Sequence, residues 1–101
     1  MTLSRIAQKR DANEPEVVAA LEAMGCSVDR LPGGEGRPDL LVGDPKTGGN
    51  YLIEVKMPGK AFNPAQKKWH AEWKGVAHVA WCPDQACSIV EGYRVKRMVR
   101  S

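Results

Sequence analysis

Apolar and polar positions change period along this chain, and the changes mark its elements. Val17, Val18 and Leu21 recur at helical spacing, which predicts a helix over residues 13–24 with Gly25 placed to end it. Asn13 and Glu16 have the spacing of a capping box, so Glu16 is expected to serve the helix start. Glu14 falls on the apolar stripe, and Glu16 points nearly opposite. Residues 26–31 read as a short strand, followed by a Pro-Gly-Gly loop through Gly36. Leu40, Leu41 and Val42 predict the next strand, Asp44-Pro-Lys-Thr-Gly-Gly49 a turn, and residues 51–57 a strand returning antiparallel as a hairpin.

A second helix start is written in Asn63, Pro64 and Gln66, as cap, first helical residue and capping-box partner. That helix is expected to reach about residue 74, with Gly75 stopping it. Gln66, Trp69, His70 and Trp73 share one stripe of it, and an aromatic stripe at helical spacing reads as core. Residues 76–81 predict a further strand, parallel to an earlier one because a helix crosses between them. Beyond Pro83 the pattern weakens: residues 84–90 read as a short helix and 92–101 as a basic strand or tail.

At 101 residues the chain fits one compact domain, with residues 1–12 as a basic N-terminal arm. No apolar run approaches the length of a membrane span, which excludes an integral membrane protein built on helices. The opening residues are basic without a following apolar stretch, so the expected location is cytoplasmic. Cys26, Cys82 and Cys87 are odd in number and lack zinc-site spacing, which reads as reduced, structural thiols. A net charge of +3 permits a nucleic-acid partner without requiring one. The basic residues gather at Arg5, Lys9 and Arg10, at Lys60, Lys67 and Lys68, and at Arg94, Lys96, Arg97 and Arg100. Each group is either a solvated face or a set of phosphate contacts.

The chemistry concentrates in Tyr51-Leu-Ile-Glu-Val-Lys-Met57. Side chains alternate across a strand, so Glu54 and Lys56 share the face of Leu52 while Tyr51, Ile53 and Val55 take the other. An ion pair on a half-exposed sheet would explain two such charges. Asp39, at the start of the neighbouring strand, brings a second acid to the same end of the hairpin. Two carboxylates and a lysine are the parts of a metal-assisted hydrolytic site. A register slip of one residue decides whether Asp39 shares the face of Glu54.

The order of a helix with an acid at its start, Pro38-Asp39, Glu54-Val55-Lys56 and a helix bearing Gln66 resembles the PD-(D/E)XK nuclease superfamily. Within it, Arg37-Pro-Asp-Leu-Leu-Val-Gly43, Leu52-Ile-Glu-Val-Lys56, Pro64-Ala-Gln66 and Trp69-His70 resemble the small stand-alone VRR-NUC domains of phages and prophages. The resemblance covers roughly residues 10–82. It implies an α/β fold with a restriction-endonuclease-like core, a mixed β-sheet flanked by helices in the order α-β-β-β-α-β. It also implies a metal-dependent endonuclease acting on DNA, structure-selective for four-way junctions or flaps, in a phage or prophage protein working in a bacterial cytoplasm.

Carried over by position, Asp39, Glu54 and the carbonyl of Val55 would bind Mg²⁺ or Mn²⁺, hard cations that suit oxygen donors. Glu14 would be the helix acid of the metal site, with Glu16 as fallback. Lys56 would orient or help deprotonate the attacking water, and Gln66 would join the catalytic set. Gln66 has a second reading as a simple capping residue, and His70 as a packing residue; His78 is given no role. Arg10, Arg37, Lys60 and Lys67 would contact DNA. A DNA-binding protein of the same fold that does not cut is the alternative. One site per chain and two strands to cut imply a two-fold homodimer. Ile89, Val90, Val95, Met98 and Val99 would form its interface or complete the monomer core.

Overall fold

The computed structural model describes residues 11–100, with side chains to residue 98. Arg10 and the rest of the basic arm before residue 11, together with the side chains of Val99 and Arg100, lie outside the described residues. The elements run α1 (Glu14–Ala23), β1 (Ser27–Arg30), β2 (Leu40–Gly43), β3 (Asn50–Val55), α2 (Pro64–Glu72), β4 (Ala77–Ala80) and α3 (Pro83–Arg100). The four strands form one mixed sheet in the order β1-β2-β3-β4. β2 runs antiparallel to both of its neighbours, β1 and β3, and β4 runs parallel to β3. The fold is α/β, and the expected α-β-β-β-α-β order is met, with α3 added after it.

Helix α1 ends as a Schellman motif: Gly25, at φ +93°, donates to Glu22 O and Cys26 donates to Leu21 O. Glycine suits that left-handed position because it carries no Cβ. The start of α1 departs from the sequence reading. Asn13 makes no side-chain cap bond, and Glu16 is exposed. Asn13 Nδ2 donates instead to Lys56 O at 3.2 Å and Trp81 O at 3.0 Å. Two carbonyls at the strand ends thus take the Asn13 side chain in place of the local cap, tying the start of α1 to the sheet.

Val17 and Leu21 of α1, Leu40, Val42, Tyr51, Ile53 and Val55 of the sheet, and Ala86 and Val90 of α3 make the core. The two helices therefore cover one face of the sheet. The C-terminal segment is a correction: residues 92–100 continue α3 rather than forming a strand or tail. Ala86, Ile89, Val90 and Tyr93 keep helical spacing across Gly92, and Tyr93 stacks on Tyr51 with ring centroids 4.3 Å apart. Tertiary burial of that stripe outweighs the ~1 kcal/mol cost of a mid-helix glycine. Val90 is buried and Ile89 packs on the core, whereas Val95 and Met98 are exposed.

One turn further along, Arg94 pairs with buried Asp44, Nη2 to Oδ1 at 2.8 Å. Arg97 donates to Thr47 O at 2.6 Å. These two basic residues bind the β2–β3 turn to α3. Cys26, Cys82 and Cys87 are free thiols. His78 bonds the Tyr93 hydroxyl through Nε2 at 2.8 Å. Among the described residues no helix is long and apolar enough to cross a membrane.

Candidate active site

The second face of β3 carries Glu54 and Lys56, and α2 lies across it. The register settles the open question of Asp39. Leu40 faces Ile53 and Leu41 faces Leu52, so the next pair outward sets Asp39 opposite Glu54, on the same face. Pro38 has no N–H to extend the ladder. The Asp39 side chain takes the next ladder donor, Oδ2 accepting from Val55 N at 2.7 Å. Lys56 N, on the other edge, donates to Ala80 O at 3.0 Å. Because the peptide is trans, the Val55 carbonyl points away from β4 and toward the side of Asp39.

Lys56 is only 6% exposed, and its Nζ donates to Gln66 Oε1 at 2.9 Å. Gln66 Nε2 donates to Glu54 Oε2 at 3.1 Å. The same Gln66 oxygen accepts from Asn63 N, while Asn63 Oδ1 accepts from Gln66 N at 2.8 Å. Both readings of Gln66 therefore hold at once: it caps α2 and bridges acid and amine. Helix α2 keeps its place partly through Gly36, at φ +80°, where a Cβ would come within 2.2 Å of Ala65 O. His70 Nε2 stands 3.7 Å from Glu54 Oε1, with its ring stacked on Phe62.

A solved structure titled "VRR_NUC domain" is similar to this chain, with a TM-score of 0.63 and 28% sequence identity. The match covers 82% of this chain and 99% of that one. The chain is VRR-NUC-like. No family model and no curated protein sequence matches it.

Electrostatics at the site of this VRR-NUC-like chain are set by burial. Glu54 is 2% exposed, and its carboxyl is pushed up to about 9, first by desolvation and then by facing Asp39. Lys56 offsets part of this, and Asp11 adds to it. Buried and facing a second acid, Glu54 holds its proton at neutral pH. Glu54 Oε1 and His70 Nε2 are buried without hydrogen-bond partners among the described residues. Burial holds His70 below the usual imidazole range, so the ring beside Glu54 is neutral.

An orphaned carboxylate oxygen beside a second acid fits a hard divalent cation. Among the described residues no three His, Cys, Asp or Glu side chains converge as a metal cage. The oxygens that meet at this end of the hairpin are those of Asp39, Glu54 and the Val55 carbonyl. Glu14 is buried at the start of α1, with its Oε2 3.4 Å from Arg30 Nε.

Of the DNA-contact candidates, Arg37 and Lys60 are exposed at the site's margin but already paired. Arg37 Nη2 lies 3.1 Å from Glu35 Oε1, and Lys60 Nζ lies 3.1 Å from Asp11 Oδ1. Lys67 is exposed on α2. Sequence reasoning missed Asp11 and Arg30. Asp11 Oδ2 accepts from Met57 N at 2.8 Å and Asn13 donates to Lys56 O, so the two residues grip both polar groups of the peptide that follows Lys56. Nothing in the local pattern separates Asp11 from a solvated acid ahead of a helix, since its partners are 46 and 49 residues away. Arg30 could have been found as the strand residue at the Glu14 end of the sheet.

Proposed function

We propose that this VRR-NUC-like chain is a divalent-metal-dependent endonuclease that hydrolyses DNA phosphodiester bonds, with a preference for four-way junctions or flaps. The observation that supports it is the facing of buried Glu54 and Asp39 across the β2–β3 register, with Lys56 on the same side and Gln66 bonded to both Glu54 and Lys56. Asp39, Glu54 and the Val55 carbonyl would hold Mg²⁺ or Mn²⁺, with Glu14 as the helix acid balanced by Arg30. The cation supplies charge to offset the phosphate and acidify water. Hydrolysis joins the water oxygen to phosphorus and breaks one P–O bond, with one proton passing to the leaving oxygen.

The chain's own part is placement and charge. Lys56 Nζ, held by Gln66, orients the water or donates to a phosphate oxygen as negative charge grows there. Gln66 keeps Lys56 and Glu54 in fixed relation, which limits the reorganisation needed during the reaction. Arg37, Lys60 and Lys67, with Arg10 of the arm, contact the phosphate backbone. One acid pair per chain makes a two-fold homodimer the economical assembly for cutting two strands, with exposed Val95 and Met98 of α3 offered for the interface.

The test is cleavage of labelled linear, flap and four-way-junction DNA in Mg²⁺, Mn²⁺ or EDTA by the wild type and by Asp39→Ala, Glu54→Ala and Lys56→Ala. Metal-dependent cutting, lost in all three variants and faster on branched DNA, is expected. DNA binding without cutting in any metal would establish the alternative, a non-catalytic DNA-binding protein. That alternative gives no reason for burying Glu54 opposite a second acid, against its own electrostatics.

A further inference from the structure

The aromatic stripe of α2, expected to be core, is not buried. Helix α2 has no buried residue, and Trp73 is 47% exposed. Trp69 and Trp73 nonetheless form an ordered pair, with ring centroids 4.7 Å apart and planes within 15°. Just after Trp73 the chain passes close to the indole edge, where a Cβ on Gly75 would lie 3.1 Å from Nε1. Trp69 in turn meets His70 edge-on at 5.1 Å, and His70 is the residue 3.7 Å from Glu54. A row of rings therefore leads from the acid pair outward to an open indole. From Gln66 to Trp73 the helix rises about 10 Å, a span of one or two nucleotides of unstacked strand.

The charge around this row is one-sided. Lys67, Lys68 and Lys74 stand against the single acid Glu72 along and just after α2, all four exposed, while Lys60 ahead of the helix is paired with Asp11. A second copy seated on the same face by a two-fold axis would bring these lysines against their own equivalents, a like-charge cost. A polyanion with flat apolar rings along it meets both the charge and the indoles.

We propose that Trp69 and Trp73 form a stacking platform for an unpaired nucleobase of the DNA substrate, beside the phosphate that lies over Glu54 and Lys56. The proposal rests on the reading of the chain as a DNA-acting protein and gives its structure selectivity a physical source. A fully paired duplex keeps its bases stacked on each other and offers the platform none. A flap or a junction arm supplies one at little cost.

The test is fluorescence-anisotropy titration of the full chain in EDTA, so that no cutting occurs, with labelled single-stranded, flap and fully paired oligonucleotides. Trp73→Ala is expected to weaken single-strand and flap binding by about 5- to 150-fold, the range of one base–aromatic stack, and to leave duplex binding unchanged. Trp73→Phe keeps a ring and should recover most of the loss. An abasic nucleotide at the stacked position should remove the difference between wild type and Trp73→Ala. Equal weakening on paired and unpaired DNA, or none on either, would overturn the platform. So would a change of sedimenting mass on Trp73→Ala, which would make a second copy the occupant. Cutting that persists with no discrimination sinks the platform and spares the nuclease, whereas discrimination without cutting in metal does the reverse.

Discussion

Glu54→Gln should make the metal-free protein more stable at neutral and alkaline pH, although it removes the central acid of the site. In the folded chain the Glu54 carboxyl is raised from 4.5 to about 9, so it keeps its proton over an interval in which the unfolded chain has lost it. The Glu54 contribution is therefore complete below pH 4.5 and falls as pH rises through that interval, because the folded state must hold a proton the unfolded state releases. At about 1.4 kcal/mol per pH unit, the whole interval is worth on the order of 6 kcal/mol, of which about 3 is gone by pH 7. Glutamine is neutral throughout, accepts the Gln66 bond as Glu54 does, and offers an N–H toward Asp39. Urea unfolding in EDTA at pH 5 to 9 is the assay. The wild type should lose stability steadily, and Glu54→Gln should show a markedly flatter curve lying above it at pH 8. Added Mn²⁺ should lift the wild type and leave the variant in place. Parallel pH curves for the two proteins, or a wild type that gains stability from pH 5 to 9, would refute the buried acid pair.

Asn13→Asp separates a clamp from a cap, since aspartate caps helices as well as asparagine but has no N–H for Lys56 O and Trp81 O. It should cost about 1–3 kcal/mol in urea unfolding, as much as Asn13→Ala, whereas a capping role predicts near-neutrality. Gly36→Ala should push the loop off Ala65 and misplace Gln66, lowering cleavage while circular dichroism still reports a folded sheet. Asp44 is held below the usual carboxylate range, chiefly by its hydrogen bond to Arg94. Its contribution is present at neutral pH and is lost as pH falls below 3.8 through the folded value. Acid unfolding followed by circular dichroism should accordingly be less steep for Asp44→Asn, from a lower starting stability.

Residues whose partners are local were legible in the sequence. The Asn63–Gln66 box, the Gly25 stop and the β2–β3 hairpin each specify their geometry within a few residues, and the site triad Asp39, Glu54 and Lys56 rides on that hairpin. Asn13 and Glu16 show the same spacing as Asn63 and Gln66, yet only the second pair closes a box. What differs is the company of Asn13: two strand-end carbonyls brought close by the fold. Asp11 escaped notice for the same reason, and so did the pairing of Arg94 with Asp44, 50 residues apart. The C-terminal half of α3 was missed because Gly92 masks a stripe whose strength lies in what it packs against. The tryptophans of α2 were misassigned because periodicity tells which residues share a face but not whether another layer covers it.

The oxygen of Gln66 is shared between the amide that starts α2 and the amine of Lys56, so ordering the helix and assembling the site are one event. Because α2 buries none of its residues, it can detach while α1, α3 and the sheet stay closed, and such an opening costs far less than global unfolding. The amides of Gln66 and Lys67 should thus exchange with solvent long before those of Ile53 or Val55. Opening these nine residues would free Lys56 and uncover Glu54 together, so the helix acts as a single local switch on the site and no domain need move.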